Sequence, residues 1–133
     1  MRRKILDTNR LIRQWQRSQT APIVEYTPAD ARSWAHELIR LQETNLIVTP
    51  VYLEFIGGVT VSGESTLTRA FLGEFIIVDG GRVLPEDWGR AIELATRIGR
   101  NKKPRGAIDC LIAAIAERLR CDILTDDLGM SRL

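Results

Sequence analysis

The sequence predicts an α/β fold of three layers, with helices on both sides of a central, mainly parallel sheet of about four strands. Three observations carry that prediction. Short apolar runs recur at 3–6, 46–48, 75–78 and 122–125, each of strand length. Longer stretches with helical periodicity separate them. Several of those stretches open on helix-start signals, as expected of parallel strands joined by helical crossovers.

The elements follow in order. Residues 3–6 form the first strand, which stops at Asp7. A helix follows from Thr8 to Ser18. In "TPAD" (27–30), Thr27 can cap, Pro28 suits a first helical turn and Asp30 favours its positive end. That helix runs to about Glu43 through Ala31, Trp34, Ala35, Leu38 and Leu41. After the strand "LIV" (46–48), Thr49-Pro50 repeats the cap-then-proline signal and opens a short helix ending near Gly57-Gly58. A helix over 64–73 leads to the strand "FIIV" (75–78), stopped by Asp79-Gly80-Gly81. Pro85 opens a helix to Gly99, and "RNKKPR" (100–105) is a basic loop. The helix over 107–120 has Ile108, Leu111, Ile112, Ile115 and Leu119 on one face and alanines on its flanks, so it should be widely buried. "DILT" (122–125) is the last strand.

A chain of 133 residues suffices for one domain, spanning 1–133, with a sizeable core. Its 44% hydrophobic and 27% charged residues are those of an ordinary globular protein. The net charge of +2 permits nucleic-acid binding through a local basic patch without demanding it. No apolar run approaches the ~18 residues of a membrane span. "MRRKILD" is basic, but no long apolar signal core follows it. Cys110 and Cys121 read as reduced packing residues. A cytoplasmic protein with no membrane partner is the expectation.

Parallel strands with crossovers place functional groups at their C-terminal ends. Asp7 ends the first strand and Asp126-Asp127 end the last, so all belong to one rim of the sheet. Asp109 lies in the first turn of its helix, about 100° around the axis from Ile108, at the border of the apolar face. Glu54 sits within "VYLEFI", among apolar neighbours. Each acid has an ordinary reading. Asp7 can be a turn or cap residue, Asp109 a first-turn acid, Glu54 half of a salt bridge and Asp127 a cap. As a set on one rim they favour a metal site. Clustered carboxylates repel unless a hard cation joins them, and oxygen ligands select magnesium or manganese. Water acidified by such an ion can attack a phosphodiester. The lone His36 cannot make a zinc site and reads as a surface or boundary residue.

"LDTNRLI" (6–12), "TPVYLEFIGG" (49–58), "AIDCLIAAIAE" (107–117) and "ILTDD" (123–127) resemble, in order and approximate spacing, a PIN domain. They look most like the VapC-type toxic ribonucleases of toxin–antitoxin pairs, and the resemblance covers nearly the whole chain. It implies magnesium- or manganese-dependent hydrolysis of RNA, with Asp7, Glu54, Asp109 and Asp127 as catalytic acids and metal ligands. Asp126 is adjacent to the last of these and can share its role. Thr8, Asn9 and Thr125 would fix carboxylate geometry. The resemblance also implies a cognate antitoxin, a homodimer and a sheet order near 3-2-1-4. The dimer contact is expected from apolar residues of helices 10–18 and 29–43.

Two features depart from the family pattern. Arg10 follows "DTN" where an apolar residue is usual; it either points to solvent or reaches a substrate phosphate, and the rarity of buried unpaired arginines favours solvent. The tail "TDDLGMSRL" lacks the usual aromatic, leaving Leu128 or Met130 to cover that region. Lys102, Lys103 and Arg105 are candidates for phosphate contact, against the alternative of a solvated loop. Trp15, Trp34 and Trp88 fit core or interface positions better than an RNA platform. A catalytically silent PIN-fold module that binds RNA or protein is the alternative, disfavoured because all four acids are present. A phospho-acceptor site is weaker still, since "KILDTN" lacks an acidic pair.

Overall fold

A computed structural model describes residues 2–59, 65–99 and 106–125. The strands are β1 (Arg3–Leu6), β2 (Leu46–Ile47), β3 (Ile76–Ile77) and β4 (Cys121–Leu124). The helices are α1 (Thr8–Ser18), α2 (Pro28–Gln42), α3 (Thr49–Val59), α4 (Ser65–Leu72), α5 (Pro85–Gly99) and α6 (Ala107–Leu119). Among the described residues the sheet has four strands, all parallel, in the order β3-β2-β1-β4. The chain thus steps outward from β1 to β3 and then returns to β1's other side. The reversal point lies between β1 and β4, where an open α/β sheet forms its ligand crevice. The six helices flank the sheet in an α/β/α arrangement, as the sequence predicts.

Local chemistry explains most boundaries. Thr27 caps α2 with a full capping box: its Oγ1 accepts from Asp30 N, and Asp30 Oδ2 accepts from Thr27 N at 2.8 Å. α2 ends at Glu43 and α6 at Arg120, both in the left-handed region that usually selects glycine. β2 and β3 have two residues each, shorter than their apolar runs, because Val48 passes directly into α3 and Val78 enters a turn. A 3-10 turn at Ile23–Glu25, unmarked by any periodicity, joins α1 to α2.

The core is anchored by an aromatic cluster. Trp15 of α1 meets Trp34 of α2, Phe55 of α3 and Phe71 of α4 edge-on, with centroids 5.3–5.6 Å apart. Phe55 and Phe71 stack at 5.2 Å. One indole therefore ties four helices together, and such pairs add about 0.5–1.5 kcal/mol each beyond burial. α6 is buried continuously from Cys110 to Ala116, as its alanine flanks predict. Cys121 also lies in the core, and His36 is exposed beside Glu74.

Most apolar residues of the helices expected to supply a dimer contact face the core. Helices 10–18 and 29–43 spend their apolar stripes inward: Leu11, Trp15, Ala31, Trp34, Ala35 and Leu38 are all buried. Leu41 is the large apolar residue left exposed on them. Trp88, expected in core or interface, stands exposed on α5 with Ile92 one turn on.

Candidate nuclease site

Asp7 is positioned by three elements. Its backbone N–H donates to Leu124 O at 3.0 Å, carrying the β1–β4 ladder one residue past β1. Its side chain caps α1, with Oδ1 accepting from Thr8 N at 2.8 Å. Its other oxygen accepts from Thr125 Oγ1 at 2.7 Å, across the β1–β4 reversal point. The carboxylate is 2% exposed. The ordinary reading and the functional one thus coincide here. The same group caps a helix and is held rigidly at the C-terminal rim.

Asp109 is half-buried in the first turn of α6, three residues after the cap residue Gly106. It therefore lies at the positive end of the α6 dipole. Glu54 is half-buried on α3, between exposed Leu53 and buried Phe55. α3, which bears Glu54, packs against both α1, which Asp7 caps, and α6, which bears Asp109. Of the supporting residues, Thr8 is buried, Asn9 is exposed and Thr125 holds Asp7. Asp126, Asp127, Leu128 and Met130, together with Lys102, Lys103 and Arg105, lie outside the described residues.

The donor set suits a hard divalent cation: the three candidate ligands described are carboxylates. Thr8 Oγ1 adds a second sign. It is buried immediately after Asp7 with no hydrogen-bond partner among the described residues, a condition proteins seldom leave uncompensated. Among the described residues no three acidic, histidine or cysteine side chains form a ready-made cage.

One acid on this rim escaped the sequence reading. Asp79, at the end of β3, is 7% exposed. Its carboxylate accepts from Thr49 N (2.9 Å), Thr49 Oγ1 (2.7 Å) and Gly81 N (3.1 Å). Thr49 was expected to supply the cap of α3; instead its own N–H and hydroxyl are bound by Asp79. The turn that closes this contact uses Gly80 and Gly81 at φ +64° and +75°, which glycine adopts without strain. The signal was present as Asp-Gly-Gly, but nothing local tied it to Thr49. Asp79 is therefore the residue that sets the start of the helix bearing Glu54.

Arg10 also differs from expectation. It is half-buried, and its Nη1 donates to Gln42 Oε1 on α2 at 2.8 Å rather than pointing into open solvent. An apolar residue is replaced by a polar strut between two helices.

A PIN-domain family model matches residues 4–133. The chain belongs to the PIN-domain family. PIN domains are generally nucleases that use divalent metal ions. Comparison with curated proteins and with solved structures gives no match. Among the described residues, no helix of this PIN-domain protein is long and apolar enough to cross a membrane.

Proposed function

We propose that this PIN-domain protein is an endoribonuclease dependent on magnesium or manganese, and that it acts as the toxin of a toxin–antitoxin pair. The observation that carries the reading is the buried Asp7 carboxylate, oriented by Thr8 N–H and Thr125 Oγ1 at the reversal point of the sheet. A cap alone does not call for a second donor from a neighbouring strand. A rigid ligand does.

Asp7, Glu54, Asp109 and Asp127, with Asp126 beside it, would hold the metal. When bound, such an ion supplies Lewis-acid stabilisation of charge at phosphorus and acidifies water. Asp7 contributes a fixed charge whose direction Thr8 and Thr125 set. Asp109 contributes a charge at the positive end of the α6 dipole. Glu54, on a helix pinned by Asp79, would hold a metal-bound water or a second ion and so orient the nucleophile. Lys102, Lys103 and Arg105 precede Asp109 in the chain and would draw phosphate toward an otherwise acidic rim. The reading extends to a homodimer and a cognate antitoxin, for which the exposed Leu53, Trp88 and Ile92 offer apolar contact.

The test is cleavage of total cellular RNA by the purified protein in magnesium, in manganese and in chelator, beside Asp109→Asn. Metal-dependent cutting that the variant loses supports the reading. Equal cutting by Asp109→Asn, or cutting in chelator, overturns the shared acid site.

A further inference from the structure

α5 leaves one broad side uncovered. Asp87, Ala91 and Leu94 face inward and are buried. On the outward side stand Trp88 and Ile92, 54% and 67% exposed, with exposed Ala95 one turn further on. At helical spacing these three fall within an arc of ~60°. Gly89 and Thr96, both exposed and seven residues apart, lie beside them, and a Cβ built on Gly89 would meet nothing within 4 Å. Beyond these small residues runs a charged row, Glu86, Arg90, Glu93 and Arg97, at i, i+4, i+7 and i+11. Its signs alternate.

That order is self-complementary in one direction only. When α5 is laid antiparallel on a second α5, about a point between Ala91 and Ile92, Glu86 meets Arg97 and Arg90 meets Glu93. In a parallel pair each charge would meet its like. The same register sets Trp88 over Ala95 of the second copy and brings the two Ile92 side chains close to the axis. Gly89 and Thr96, between the apolar stripe and the charged row, let the helices approach closely. The inner charges are already paired within one chain, since Arg90 donates to Glu93 Oε2 at 2.8 Å and to Glu117 Oε2 at 3.0 Å. The outer two are not. Glu86 and Arg97 make no ion pair among the described residues, and Arg118, whose field reaches Glu86, is committed to Asp87. Scattered exposed apolar residues are ordinary. A tryptophan and an isoleucine beside a charged row that fits only its own reverse are not.

We propose that the outward face of α5 is a two-fold interface with a second copy of this chain, the two α5 helices packing antiparallel. This rests on the homodimer in the reading above and gives it one face; it does not depend on cleavage. α5 has 15 residues, so a contact built on it lies at the small end of specific interfaces, where association is weak and reversible.

The test is sedimentation velocity of the full chain in chelator, from nanomolar to high micromolar concentration, with circular dichroism as the folding control. The proteins are wild type, Trp88→Ala, Glu86→Arg, Arg97→Glu, and an equimolar mixture of the last two. Wild type should dimerise as concentration rises. Trp88→Ala should raise the dissociation constant about tenfold or more, since buried tryptophans carry a large share of interface energy. Glu86→Arg and Arg97→Glu should each weaken self-association, because each sets like charges together twice. Their mixture should recover it, because both cross pairs are then opposite in sign. If wild type dimerises and every variant matches it, the dimer uses another face, and the homodimer reading stands without this one. If wild type is monomeric at every concentration, the homodimer reading fails and the face with it, whether or not the protein cuts RNA.

Discussion

Asp7 shows how one residue can serve both fold and site. Asparagine is as good a helix cap as aspartate, so Asp7→Asn should keep the α1 start and melt within ~0.5 kcal/mol of wild type, while cleavage is nearly abolished. A loss of folding comparable to the loss of activity would make Asp7 a structural residue only. Thr125→Val is the complementary change. It removes the donor that aims Asp7 Oδ2 but leaves the ladder and the carboxylate. Loss of such an orienting partner typically costs 10–100-fold in affinity or activity, and here cleavage at limiting metal should fall by about that factor with little change in melting temperature. Unchanged cleavage at limiting metal would show that the bond has no part in the site. Of these features, the position of Asp7 on the rim was legible, because a strand ending in an acid is a local pattern. The Thr125 bond was legible only through the resemblance, because its partners are 118 residues apart.

At the scale of elements, two buried carboxylates hold helices in place. Asp79 acts on α3 from another strand. Asp79→Ala removes the acceptor of three donors, so a loss of about 2 kcal/mol is expected, at the upper end of cap effects. Because α3 carries Glu54, activity at a fixed temperature should fall with it. Asp79→Asn, which retains one oxygen, should recover much of both in thermal melts and cleavage assays. Asp87, in the first turn of α5, is 1% exposed. It accepts from Leu84 N and receives two bonds from Arg118 of α6, at 2.7 and 3.0 Å. Burial pushes its pKa up, but the Arg118 hydrogen bonds and the Leu84 N–H outweigh this and leave it below the usual carboxylate value. Arg118 is correspondingly raised, first by its bonds to Asp87. A carboxyl with a depressed folded pKa contributes stability in full above its unfolded value of about 3.9 and loses it as pH falls through the folded value. Asp87→Asn should therefore be less stable than wild type near neutral pH by about 2–3 kcal/mol, somewhat less than a fully buried broken pair because Arg118 keeps 25% exposure. The gap should narrow as pH drops below 4. A gap that is constant with pH would assign the effect to packing rather than charge.

For the whole molecule, the proposed four-acid metal site predicts a linkage between metal and stability. A site that binds only the folded chain adds about 2.7 kcal/mol when the ion is at a hundred times its dissociation constant. Magnesium or manganese should therefore raise the melting temperature of wild type, and Asp109→Asn should lose most of that rise. Without metal, Asp109→Asn should melt at or slightly above wild type, since a like-charge repulsion is removed. An equal metal-induced rise in both proteins would move the ion elsewhere. The same scale explains how far the sequence can be read. Helices α1, α2, α5 and α6 were bounded to within about a residue because caps, prolines and apolar periodicity act over a few positions. The burial of most apolar residues of α1 and α2, which leaves Leu41 exposed there and Leu53, Trp88 and Ile92 exposed elsewhere, depends on packing between distant segments. Arg10 was misjudged for the same reason, since its partner Gln42 lies on another helix.

The amino-acid sequence alone determined the element order, the parallel α/β class and the arrival of Asp7 at the C-terminal rim of the sheet. These follow from strand alternation with helices and from short-range capping chemistry. Only the tertiary structure decided that Thr125 aims Asp7, that Asp79 rather than Thr49 supplies the α3 cap, and that Gln42 holds Arg10. Each of these depends on side chains brought together by packing, whose free energy no local pattern records.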